Sequence, residues 1–272
     1  MFTEDRKGVA ALARYVSFVW EYMKVNMAME MEYRAAFLAR MFGMIVNDCM
    51  WLCFWVMYFT RFPVVQGWTK NDVITLWAIC GIGYGLAAGI FGNALRLAGI
   101  ISSGNLDFYL SYPKNVLIHA LCSRVDVSGL GDVLFGPLVF ILLARPSLHA
   151  TVLFLVSGIL VACIFTGFSV LAGSLAFFIG NSENVAAQVF NSLIHFSTYP
   201  SVIFHGTIKV VLFTLIPAGF INSVPVKVVR DFDPLFFLGL ICASIFFLSA
   251  ANYVFNLGLR RYESGNLVQA RM

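Results

Sequence analysis

Few side chains in this chain can do chemistry, and most of them sit where water is scarce. Asp48, preceded by Asn47, falls inside one apolar run, and Asp132 falls inside another with Arg124 and Asp126 upstream. A carboxylate in hydrocarbon costs roughly 3 kcal/mol on insertion scales, so each needs a partner or water. Arg124 and Asp126 lie near the end of their run, where arginine can reach the headgroups. Asp132 is eight residues from Arg124, too far for a one-turn pair. Asp48 and Asp132 are therefore expected to face a bundle interior and to pair with polar groups on other helices. Packing polarity is favoured over a substrate site.

His195 and His205 flank the step Tyr199-Pro200. Ten residues apart, they make no zinc pair by local spacing. A proton relay would use such groups. The favoured role is plainer: a histidine near a broken helix satisfies freed carbonyls, as Ser197, Thr198 and Tyr199 also can. The six cysteines, Cys49, Cys53, Cys80, Cys122, Cys163 and Cys242, all fall in apolar segments without metal-site spacing and read as packing residues. No Ser/His/Asp or Cys/His arrangement suggests catalysis. No Gly-x-x-x-x-Gly-Lys-Ser/Thr phosphate loop occurs, so energy for any transport must come from another chain or an ion gradient.

The elements that must hold these residues are membrane-crossing helices. Residues 150–179 contain no charged side chain, and about 20 apolar helical residues span a bilayer core. The chain is 60% apolar and 12% charged, with mean hydropathy +0.84. That is about half the charge density of a soluble domain. Continuous apolar runs favour helices over a barrel of alternating strands. The net charge of +4 is too modest for a nucleic-acid partner and suits loops that face lipid. No cleaved signal peptide is expected.

Val9, Leu12, Val16, Val19, Trp20, Met23 and Met27 recur at helical spacing, with Arg14, Glu21 and Lys24 between them. Residues 1–34 are thus expected to form an amphipathic helix in the membrane interface. A transmembrane domain follows over 35–259, and a polar tail over 260–272. Six spans are predicted: 36–59, 73–97, 118–143, 150–179, one beginning near Val185, and 234–257. Gly81, Gly83, Gly85, Gly89 and Gly92 put small residues on the second span, which lets a neighbour approach closely. Residues 200–225 carry Pro200, Gly206, Lys209, Pro217, Gly219 and Pro225. They read as a re-entrant pair of half-helices, tolerated where buried or lining a cavity. With six spans and both termini inside, twelve of the 18 basic residues face the cytoplasm, as the positive-inside rule asks. The expected fold is an all-α membrane protein: an N-terminal interfacial amphipathic helix, six transmembrane helices, and re-entrant half-helices before the last span.

The loop Ile101-Ser102-Ser103-Gly104-Asn105-Leu106-Asp107-Phe108-Tyr109-Leu110-Ser111-Tyr112-Pro113 is the sharpest local signal. Gly104 suits a sharp exit from the second span. Asn105 or Asp107 can cap a short helix, and Pro113 stops it. Leu106, Phe108, Tyr109 and Leu110 give apolar and aromatic anchors of the kind a docking knob uses. With the Tyr199-Pro200 break and Ile216-Pro217-Ala218-Gly219-Phe220 before the last span, this pattern resembles the small bacterial ABC-2 type transporter permeases over nearly the whole chain.

That resemblance implies a non-catalytic half-transporter in the bacterial cytoplasmic membrane, surrounded by lipid and pairing with a second copy or a sister permease. Two separate ATP-binding subunits would hold the ATP and magnesium, with no cofactor in this chain. Gly104, Leu106, Asp107, Phe108, Tyr109, Leu110 and Pro113 would be the coupling loop seated in the ATPase. Asn181, Glu183 and Asn184 would form a second contact. Gln188, Asn191, His195, Tyr199, Pro200 and Pro217 would line a pathway or gate, with the second and fifth spans at the shared interface. The alternative is an ion-coupled secondary transporter or channel, which would want interrupted spans in both halves of the chain.

Overall fold

The computed structural model describes residues 2–263; Met1 and the rest of the expected tail, 264–272 with Arg271, lie outside the described residues. Helix α1 (Phe2–Glu30) passes through one 3-10 turn (Met31–Tyr33) into α2 (Arg34–Arg61). A hairpin, Val64–Val65 against Trp68–Thr69, turns through Gln66 and Gly67, both at positive φ. It leads into α3 (Lys70–Ile90), whose first turn is fixed by Asp72: its carboxylate accepts from the Thr69 N–H at 2.8 Å. A 3-10 stretch (Gly92–Arg96), α4 (Leu97–Ser102), α5 (Leu106–Leu110) and α6 (Val116–Cys122) precede α7 (Val127–Val139), which a wider turn (Phe140–Ala144) prolongs. Then come α8 (Leu148–Ser174), α9 (Ala176–Ile179), α10 (Glu183–Ser197), the short α11 (Thr207–Thr214), α12 (Ala218–Ile221) and α13 (Ser223–Arg230), and the long α14 (Pro234–Leu259).

Among the described residues, five helical stretches are long and apolar enough to cross a membrane: Ala13–Arg61, Lys70–Ile90, Val127–Ala144, Leu148–Ile179 and Pro234–Leu259. A sixth candidate is the pair Thr207–Thr214 and Ala218–Arg230, bent by 69° at the break, as a broken span or a re-entrant loop is. The predicted fifth span is shorter than a crossing. Helix α10 has 15 residues, about 22 Å of rise against a core of about 30 Å. The predicted third span also starts later, at Val127 and not at Ile118. There the chain breaks to bring Asp126 to the N-cap of α7: its carboxylate accepts from Ser128 N–H at 3.0 Å, while its own N–H donates to Ala88 O at 3.0 Å.

Helix α3 is the hub, and its glycines explain why. A Cβ at Gly85 would lie 2.5 Å from Gly129 O, and one at Gly136 would lie 2.5 Å from Ala78 O. The α3 and α7 backbones touch where side chains are missing. Gly83 faces Val161 of α8. The small-residue face of the second span is thus filled within the chain. That glycine face is therefore taken by α7 and α8 and not by a second copy.

Contacts sort the turns into two ends. At one, Glu183 packs its carboxylate against Gly99, the Phe177 and Tyr262 rings meet at 6.0 Å, and Tyr262 reaches Asp107. At the other, Arg230 pairs with Asp72 at 3.3 Å and His149 meets Phe232 at 5.9 Å. Between the ends, Phe42, Met50, Phe54 and Met57 of α2 and Leu238, Ile245 and Phe246 of α14 are exposed, the apolar surface lipid covers.

Candidate functional site

Gly104 takes φ +77°, a left-handed conformation that allows the sharp turn into α5. Leu106 points inward and is fully buried beside Leu97, Ile101 and Leu117. It therefore holds the knuckle to the bundle and offers no outward surface, contrary to its expected role as a docking anchor. Tyr109 is tied down by its hydroxyl to Ser123 Oγ at 2.8 Å. Asp107 lies against Tyr262, whose phenol is pushed up to about 12, first by burial and then by this carboxylate. Phe108, Leu110, Tyr112 and Pro113 remain exposed.

Behind the knuckle lies a residue that sequence reasoning missed. His119 of α6 is buried in a ring of aromatics: Phe18 and Tyr22 of α1, and Phe108, Tyr109 and Tyr112, at 5.0–6.2 Å between centroids. Its Nε2 meets the Tyr22 hydroxyl at 2.6 Å. Asn26 of α1 donates to Cys122 O at 2.9 Å. Burial, then the charge of Lys114, holds His119 below the usual histidine value. The cluster at 108–112 was visible in the sequence, but its α1 partners come from about 100 residues away.

The second turn bends at Gly180 (φ +77°) and leaves Asn181, Glu183 and Asn184 exposed. Through Glu183 and Gly99 it sits beside α4, the helix that feeds the knuckle. Helix α10 then rises with two faces. Ala186, Phe190, Leu193 and Ser197 are buried, while Asn184, Gln188, Asn191 and His195 are exposed in one polar stripe.

At the tip of α10 the freed carbonyls are all met. Thr198 Oγ1 donates to His195 O at 3.0 Å and the Cys80 thiol to Ser197 O at 3.4 Å. Asn222 Nδ2 donates to Phe196 O at 3.1 Å and to Tyr199 O at 3.0 Å. Asn222, fully buried, takes over much of the carbonyl duty expected of His195 and its neighbours. Pro200 and Pro217 are both buried at the breaks, and His205, between them in the chain, is exposed. His195, Tyr199, Asp48 and Asp132 line one cavity of about 390 Å³ between α2, α3, α7 and α10. Asp48 shares the buried stripe of α2 with Leu52, Trp55 and Phe59, and its carboxyl meets that of Asp132. Among the described residues no three His, Cys, Asp or Glu side chains cluster as metal ligands.

Residues 45–265 match the family described as ABC-2 family transporter protein. No curated protein and no solved structure matches the chain.

Proposed function

The chain belongs to the ABC-2 family of transporter proteins, as an all-α membrane protein with several crossing helices, and from that premise we propose that it is the permease half of an ATP-driven exporter. Two permeases, identical or sister chains, enclose the route. Two separate ATP-binding subunits supply ATP, magnesium and hydrolysis, and this chain carries out no reaction of its own. It lies in the bacterial cytoplasmic membrane with both termini inside.

One observation supports this reading above the others. Two turns some 70 residues apart in sequence, 103–113 and 180–184, lie at the same end of the bundle in contact through α4. Between them they expose Phe108, Leu110, Tyr112, Asn181, Glu183 and Asn184. Aromatic and apolar knobs rimmed by polar groups are what a motor subunit can grip. The polar stripe of α10 fits the pathway or the partner permease, because lipid would leave its amides unsatisfied.

The test follows from which side chains are exposed. Leu110→Asp puts a charge on the outward face of the knuckle without touching buried Leu106 or the rings packed on His119. The permease should then lose its co-purifying ATP-binding subunit while its melting temperature stays put. Retention of that subunit at the parent level would remove the knuckle from the interface.

A further inference from the structure

The cavity between α2, α3, α7 and the tip of α10 has a chemistry of its own. Asp48 and Asp132 are 4% and 2% exposed, their carboxyls meet, and Oδ2 of each finds no hydrogen-bond donor. Ser197, fully buried, lines the same space with its hydroxyl unpartnered. Two carboxylates side by side in a low-dielectric site call for a cation or a shared proton. Aromatic rings make up much of the remaining wall, with Asn47 and Thr198 among them. Trp51 and Trp77 stack at 6.3 Å and 16° between planes, and Trp55 meets Tyr199 edge-on at 5.8 Å. Trp51, at 40% exposure, and His195 stand at the rim, so the cavity opens on the side that carries the polar stripe.

Among the described residues no third His, Cys, Asp or Glu joins the two carboxyls in a group that could hold a metal ion. An organic cation suits the site well. Its charge faces the carboxyls, its N–H groups reach the free acceptors, and indole faces attract the positive charge while covering its apolar body. We propose that this cavity binds a protonated lipophilic amine, with Asp48 and Asp132 taking the ammonium and Trp51, Trp55 and Trp77 enclosing the ring or chain. The site names the substrate class of the exporter and rests on that reading only for its purpose. Binding is measured on the permease alone without ATP, so a failure here is distinct from a failure of the subunit pull-down.

Naphthylmethylamine and naphthylmethanol share one ring system and differ in the ammonium. Calorimetry on the full-length protein in detergent should give the amine at least about tenfold tighter binding than the alcohol. Asp48→Asn with Asp132→Asn should abolish that preference while the alcohol still binds. Should the double variant not fold, the parent's preference decides together with Trp51→Leu, which trims the rim and should weaken both ligands. Equal affinity of amine and alcohol in the parent would overturn the proposal. So would an amine affinity unchanged in the asparagine variant or in Trp51→Leu.

Discussion

His119 shows how a single residue ties the N-terminal helix to the knuckle. Its ring contacts both, and its Nε2 lies 2.6 Å from the Tyr22 hydroxyl. Because folding lowers its pKa, the unfolded chain binds protons more readily below the ordinary value of about 6.5. The junction should be fully stable above that pH and weaken as the pH falls through it. Proteolysis of the α1–α2 connection should accelerate from pH 7.5 to pH about 5.5, and His119→Gln should flatten that dependence. A rate in the parent that ignores pH would remove His119 from the role. At this scale the sequence showed which residues are unusual, Asp48 and Asp132 among them, but not which ones meet. The two carboxyls stand more than 80 positions apart in the chain, and only the packing of α2 on α7 joins them.

Among the elements, lengths were legible and breaks were not. The charge-free run of α8 and the apolar run of α14 announce crossings by composition alone. The stop before α7 and the early end of α10 depend on tertiary partners: Ala88 O, which receives the Asp126 N–H, and Asn222, which meets two carbonyls. Proline at position 200 signals a break, but the residue that makes it tolerable lies 22 positions on. Asn222→Leu should therefore leave both carbonyls unpaired and destabilise the fold by about 2 kcal/mol. Thermal unfolding in detergent would read it. A melting point equal to the parent's would mean that water or lipid replaces the amide. The glycines of α3 teach a related lesson: a small-residue strip says that something comes close, and the structure shows that α7 does.

Across the whole molecule, the fold sorts its turns by end, and that sorting can be tested without any substrate. In a background lacking Cys49, Cys53 and Cys242, which are exposed, a single cysteine at Lys70 or at Ser103 reports each end. An impermeant maleimide should label Lys70→Cys in intact cells and Ser103→Cys only after permeabilisation. The opposite pattern would invert the orientation and place the knuckle out of a motor's reach.

The short α10 has a mechanical consequence. Its base touches the segment that feeds the knuckle, and its last turn forms part of the aromatic chamber. A stiff rod about 22 Å long thus joins the two. Pinned at its tip by an asparagine and a thiol, it would pass a shove at the floor directly to the chamber wall, with no slack loop between to absorb the stroke.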